Sequence, residues 1–397
     1  MQSPDTAPGP IFSADPAAFI GAIQAAGAPV ERRNRIPILG NLHVDAQGNS
    51  VTVTGTNMDM DISATFPAKV KRRGRTTIPA GDVARFAGAV RKSTDVRCVC
   101  DIRAKLSAPL EGFGLGFGES DEISVTLPVI GPEDFPRLHG FEGAAPFATM
   151  SMKAVDWIGV LDAVSPCIST DETRYFLNGV YFHEVDGKWV AVATDGHRMM
   201  LVKTNAEAPE GVSVIVPRKT IAMLRQKLGK VPVDTVVAME LHGTPDHKLQ
   251  WKFEDLVIRS KSIDGTFPDY DRVIPKPASE GGRTIEIDTV AWSRMMRKVM
   301  TLNTENFGSA RLAFNKDGCS VLSSPPEGPE IKTPLPCPPW AGEFNIGFRP
   351  KYLAAMCAAL APRAQMTIRG AGDPVRFDSI GEDGAMERIG VLMPMRV

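Results

Sequence analysis

The stretch TTIPAGDVARFAGAV (residues 76–90) reads as an apolar strand, a proline and an amphipathic helix, and the same pattern occurs twice more. The later copies are SVIVPRKTIAMLRQKL (213–228) and FNIGFRPKYLAAMCAAL (344–360). Ile78 and Val216 stand 138 residues apart, and Val216 and Phe348 stand 132 apart. A strand, a glycine-containing turn and a second strand precede each copy, in NLHVDAQGNSVTVTG, GVYFHEVDGKWVAVA and ARLAFNKDGCSVLSS. Here Gly48 and Gly187 are 139 apart, and Gly187 and Gly318 are 131 apart. Two independent patterns with nearly the same offsets imply an internal threefold repeat.

Working outward, Phe135-Pro136 and Phe267-Pro268, 132 apart, close the first two copies, and IGVLMPMRV ends the third. The Gly/Pro/Ala-rich stretches GFEGAAPF and KPASEGGR serve as linkers. Three domains are expected, at residues 11–140, 148–276 and 283–397. DPAAFIGAIQAAG, MKAVDWIGVLDAV and DTVAWSRMMRKVM carry apolar residues at i, i+3, i+4 spacing and predict the first helix of each copy. The order in each copy is then helix, hairpin, strand, helix and several strands. Two helices packed on antiparallel sheet, three times over, is an α+β architecture.

The bulk properties narrow the function classes. A hydrophobic share of 43% and a charged share of 23% are ordinary for a globular chain. No apolar run reaches the roughly 20 residues of a membrane span. MQSPDTAPGP has neither a basic start nor an apolar signal region, so a cytoplasmic protein with a short disordered tail is expected. Cys98, Cys100, Cys167, Cys319, Cys337 and Cys357 include no C-x-x-C pair and none has zinc-finger spacing to histidine. Reduced structural thiols, with neither metal nor cofactor, are expected.

A net charge of −1 hides an asymmetry. The predicted helices over 79–93, 217–230, 288–301 and 349–363 carry +2, +5, +2 and +3, and those over 14–26 and 152–163 carry −1 each. The helices total +10 against −11 elsewhere, a pattern suited to sequence-independent contact with a phosphate backbone.

Chemical motifs are scarce. Gly114-x-Gly116-x-Gly118 lacks a strand-then-helix context and reads as a glycine-rich strand pair rather than a nucleotide loop. TDGHRM (194–199) places Asp195, His197 and Arg198 together between strand-like KWVAVAT and RMMLVKT. Asp195-Gly196 then reads as a two-residue hairpin turn with its carboxylate turned on nearby backbone N–H groups. An acid–base pair of Asp195 and His197 would need a third group, and the sequence offers none.

RYFLNGVYF (174–182), VATDGHRM (192–199), FPDYDRVIP (267–275) and VLMPMRV (391–397), in this order, resemble the bacterial β sliding clamp family, the processivity subunit of DNA polymerase III. IPILGNL (36–42) and TENFGSARLAF (304–314) extend the resemblance to the first and third copies. It implies three repeated DNA-clamp domains and a non-catalytic head-to-tail homodimer ring that encircles double-stranded DNA. Its partners would be DNA polymerase III and other polymerases, the clamp loader and repair proteins, bound through short peptide motifs. The implied peptide groove comprises Arg174, Leu177, Thr194, Gly196, His197, Arg198, Met199, Pro268, Arg272, Val273, Tyr352, Met393, Pro394, Met395 and Arg396. DNA-facing positions would be Arg33, Arg85, Arg218, Lys219, Arg225, Arg294, Arg297 and Lys298, and the dimer seam would use Ile123, Val125 and Leu302. A divergent accessory clamp, or a peptide-binding scaffold that does not encircle DNA, is the competing reading. The Gly-rich 112–118 and Pro-rich 323–340 segments are departures from the family pattern.

Overall fold

The computed structural model describes residues 9–396 except 32, 102, 110–121, 142, 144, 244–246, 278–279, 303–308, 324–329 and 382–384. The expected strand pair at 112–118 lies outside the described residues, as does most of the N-terminal tail. Gly9 and Pro10 are described and are buried: Gly9 O accepts from Arg72 Nε at 2.7 Å and Pro10 O from Cys100 N at 3.0 Å.

The first copy holds β1 (Ile11–Ala14), α1 (Pro16–Ala26), β2 (Asn41–Gln47), β3 (Ser50–Thr56) and β4 (Met60–Arg72), then β5 (Gly74–Pro79), α2 (Ala80–Ala89), β6 (Val96–Cys100), β7 (Arg103–Pro109) and β8 (Glu122–Pro128). The second holds β9 (Ala148–Lys153), α3 (Ala154–Val164), β10 (Gly179–Val185), β11 (Lys188–Thr194) and β12 (Arg198–Glu207), then β13 (Ser213–Pro217), α4 (Arg218–Leu228), β14 (Val236–His242), β15 (Lys248–Phe253) and β16 (Leu256–Lys261). The third holds β17 (Arg283–Asp288), α5 (Thr289–Leu302), β18 (Ala310–Asn315), β19 (Gly318–Ser323) and β20 (Ile331–Leu335), then β21 (Phe344–Phe348), α6 (Pro350–Ala359), β22 (Arg363–Ile368), β23 (Val375–Ile380) and β24 (Glu387–Leu392).

This corrects the expected element order. Each copy begins with a strand, and each is two successive βαβββ halves. The leading strands β1, β9 and β17 escape a local reading because their partners are distant: Ile11 pairs with Val99, and Arg283 with Ile368. The three turn glycines all adopt positive φ but sit differently in their hairpins: Gly48 (55°) is the first and Gly187 (73°) the second residue of a two-residue loop, and Gly318 (122°) opens the return strand.

The chain divides into two compact units, Met1–Thr149 with Val236–Lys261, and Met150–Thr235 with Ser262–Val397. In the first unit, β4 of copy one pairs antiparallel with β16 of copy two, Ala64 opposite Leu256. In the second unit, β12 of copy two pairs in the same way with β24 of copy three, Arg198 opposite Leu392. Each first helix buries one aromatic side chain, Phe19, Trp157 or Trp292, at no more than 1% exposure. Phe19 meets Phe66 and Phe86 edge-on at 6.1 and 6.5 Å, locking α1 to the sheet and to α2. Asp15 and Asp288 accept from Ala18 N and Ala291 N, satisfying N–H groups at the starts of α1 and α5.

A polar knot closes the first copy. Arg137 Nη2 lies 2.7 Å from His43 Nδ1, the Phe135 ring lies 5.3 Å from the imidazole, and Leu138 N donates to Asp61 Oδ2 at 2.7 Å. Burial, and then the Arg137 charge, push the His43 pKa down to about 4, while burial raises that of Asp61.

Candidate functional site

The TDGHRM stretch is a hairpin, but its loop is longer than two residues. β11 ends at Thr194, β12 begins at Arg198, and Thr194 pairs with Met199. The reason is the Asp195 side chain. Its Oδ1 accepts from His197 N at 2.9 Å and Arg198 N at 3.0 Å, and its Oδ2 pairs with Arg198 Nε at 3.0 Å. These bonds hold a wider loop, with His197 in it and only Arg198 on the return strand. The Asp195 carboxylate thus engages the His197 backbone and the Arg198 guanidinium, so no acid–base dyad forms with the imidazole. The ring stacks instead on Tyr352, with centroids 6.1 Å apart.

Other groove candidates gather around this loop within the second unit. Arg198 places its guanidinium 4.3 Å from the Tyr352 ring centroid. The C-terminal tail is tied on two sides: Met393 N donates to His197 O at 2.9 Å and Met395 N to Gly347 O at 2.8 Å. Met393 is exposed, and Pro394 and Met395 are half-buried. Arg174 is held by Asp171, whose carboxylate also caps the turn Glu172–Leu177 through Thr173. Hydrogen bonds from the Thr173 hydroxyl, the Thr173 backbone and Arg174 keep the Asp171 pKa low. A Cβ at Gly196, where φ is 85°, would lie 2.8 Å from Arg174 Nη1, so the glycine lets the arginine cross the loop.

Beneath lies an apolar floor. Leu177 and Met199 pack in one cluster with Leu201, Phe267, Tyr270 and Val391. Phe267 and Tyr270 anchor the segment that bears Pro268, Arg272 and Val273, all exposed. Tyr270 is fixed from below by a 2.8 Å hydrogen bond between its hydroxyl and His183 Nε2. Arg272 pairs only with Asp269, 2.7 Å away, among the described residues. Sequence reasoning passes over Tyr175 and Arg349. Tyr175 is 53% exposed beside Arg174, and Arg349 donates to the Tyr352 hydroxyl at 3.3 Å. Their signals are an aromatic pair in RYFLNG and an arginine where the first two copies carry Pro79 and Pro217.

The basic helix bias narrows once helix ends are known. Arg91, Lys92 and Lys230 lie in turns, and Arg363 starts β22 and pairs with Glu286. Arg85 pairs with Asp82, Arg225 holds Asp162 through Nε at 2.5 Å and Nη2 at 2.9 Å, and Arg218 donates to Ser169 O at 3.4 Å. Lys219 and Arg33 are exposed. Arg294, Arg297 and Lys298 of α5 differ. They are exposed, have no carboxylate within 4 Å among the described residues, and line an open groove of about 530 Å³ with Ser293 and Thr301. On the seam candidates, Ile123 and Val125 are half-buried on β8, an edge strand, and Leu302 is 56% exposed at the end of α5.

Residues 11–139 match the family model of the DNA polymerase III beta subunit N-terminal domain, and 153–269 match that of its central domain. The chain is 32% identical over 390 residues to the beta sliding clamp of Caulobacter vibrioides strain NA1000, covering 96% of this chain and 98% of that one. It is 25% identical to the Escherichia coli K12 beta sliding clamp over 395 residues, with 97% and 100% covered. A sliding clamp from Bartonella birtlesii bound to griselimycin superposes with a TM-score of 0.85 at 27% identity, covering 98% and 100%. One from Caulobacter crescentus gives 0.82 at 29%, again covering 98% and 100%.

Repeated α+β domains, matched along nearly the whole chain by solved sliding clamps, define the class of DNA clamps. The chain belongs to the β sliding clamp family, the beta subunits of DNA polymerase III, and is a non-catalytic processivity factor of three domains.

Proposed function

We propose that two copies of this chain close head to tail into a ring around duplex DNA and tether DNA polymerase III, other polymerases, the clamp loader and repair proteins to it. The observation that carries the ring is the pattern of sheet junctions. The first half of copy one joins the second half of copy two through β4 and β16, and copies two and three repeat this through β12 and β24. The same rule applied once more pairs β20 with β8, and among the described residues each of these is the edge of its own sheet. Edge strands with unpaired backbone groups favour such a partner, and a second copy supplies it.

Domains at 11–140, 148–276 and 283–397 follow from the repeat. Ile123 and Val125 on β8 would meet Leu302 and its neighbours across the seam. Arg33, Arg85, Arg218, Lys219, Arg225, Arg294, Arg297 and Lys298 face the DNA, and the hairpin-and-tail surface from Arg174 to Arg396 takes apolar-anchored peptides. The griselimycin complex of the Bartonella relative is in keeping with a ligand-binding surface on this fold. The protein works in the cytoplasm; no helix among the described residues is long and apolar enough to cross a membrane.

The test combines light scattering with loading onto a nicked circular plasmid. A dimer retained on the circle and released when the plasmid is linearised is expected. A monomer, or a protein that binds partner peptides without retention on the circle, overturns the ring in favour of a scaffold.

A further inference from the structure

We infer that Arg349 is the receptor for an acidic side chain of the bound partner peptide, so that the groove selects a carboxylate beside its apolar anchors. The inference rests on the peptide-groove reading above and goes beyond it in naming a residue and a ligand chemistry.

The position itself departs from the repeat. The residues that cap α2, α4 and α6 are Pro79, Pro217 and Arg349. Arg349 makes no side-chain capping bond, and Pro350 already sets the first helical φ, so helix initiation does not require a guanidinium there. Placement brings it to the site. Gly347, two residues earlier, accepts from Met395 N at 2.8 Å. The Arg349 guanidinium lies 5.3 Å from the Tyr352 ring centroid, and the same ring receives His197 and Arg198.

Charge distinguishes Arg349 from its neighbours. Arg174, Arg198 and Arg272 each pair with an aspartate three residues before, Asp171, Asp195 and Asp269, at 2.9, 3.0 and 2.7 Å. Arg349 has no carboxylate within 4 Å among the described residues, and its hydrogen bond there goes to the Tyr352 hydroxyl. A guanidinium has five N–H donors in a planar fork, and one bond to a phenol leaves most of that fork for an acceptor. A half-buried cation with no carboxylate of its own chain beside it, among the described residues, favours an ionised carboxylate over a neutral amide.

The test uses fluorescein-labelled decapeptides with fixed Leu and Phe anchors, in which Asp or Asn is placed in turn at each position between and beside the anchors. Fluorescence anisotropy is read on the wild type, Arg349→Gln and Arg349→Lys, after thermal melts show all three folded. At one position Asp should strengthen wild-type binding about fivefold over Asn, and Arg349→Gln should bring that ratio to about one. Arg349→Lys should retain part of it, and the neutral peptide gives the reference affinity for each of the three proteins. An equal affinity for Asp and Asn at every position in the wild type overturns the inference. So does an Asp preference that survives in Arg349→Gln, with or without a general loss of affinity, which would make Arg349 at most a support for Tyr352. Failure of the neutral peptide to bind the wild type would instead sink the groove reading, and this inference with it.

Discussion

Both oxygens of the Asp195 carboxylate are committed within three residues, to two backbone N–H groups and the Arg198 guanidinium. The ion pair is nearly dry, with side-chain exposures of 14% and 11%. Removing one partner of such a pair leaves an uncompensated charge, which is far costlier than losing a surface bridge. Asp195→Ala should therefore destabilise the protein by about 3 kcal/mol in urea unfolding. It should also weaken peptide binding, because Arg198 and His197 set the position of Tyr352. His43 makes a second residue-scale prediction. Its pKa falls from 6.5 unfolded to about 4 folded, so between these values the unfolded chain takes up a proton that the folded chain refuses. Stability should hold above pH 6.5 and fall as the pH drops toward 4. His43→Gln should flatten that slope in urea midpoints measured from pH 4.5 to 7.5. TDGHRM was legible as a hairpin, because the flanking strands alternate and Asp-Gly marks a turn. Its true length was not, because one side chain's hydrogen bonds decide it.

Helices were the most legible elements, since their apolar spacing is local: Phe19, Trp157 and Trp292 mark the first helix of each copy in sequence and in structure. The halving of the repeat was not, because β1, β9 and β17 are short and find their partners far along the chain. Charge divides among the helices at this scale too. Net helix charge ignores who pairs with whom, and ion pairs at Arg85 and Arg225 leave α5 as the helix whose three surface cations have no carboxylate partner among the described residues. Replacing Arg294, Arg297 and Lys298 together by Ala should lower the slope of log affinity against log salt by about 3 on a short linear duplex. Arg85→Ala and Arg225→Ala should each change it less, since each removes a cation already neutralised by its own chain. Equal effects from all positions, read by anisotropy across a salt series, would refute that division.

For the whole molecule, the ring separates two physical quantities that a groove-type DNA binder would mix. Escape from circular DNA requires the seam to open, whereas escape from a linear duplex requires only sliding to an end. On the proposed reading, the basic α5 surface would govern friction along the phosphates and the β8 edge would govern closure. Val125 sits half-buried on β8 against the first copy's core. Val125→Asp would set a charge at the proposed seam, where a carboxylate has no partner and desolvation opposes pairing. Dwell times of loaded, labelled clamp should then cross over between variants. Val125→Asp should shorten retention on a nicked circle by about tenfold or more, which corresponds to about 1.4 kcal/mol lost at the seam. The α5 triple variant should leave retention on the circle unchanged and shorten it on linear DNA alone. If neutralising α5 released the clamp from circles as fast as Val125→Asp does, electrostatic grip rather than topology would hold this protein on DNA.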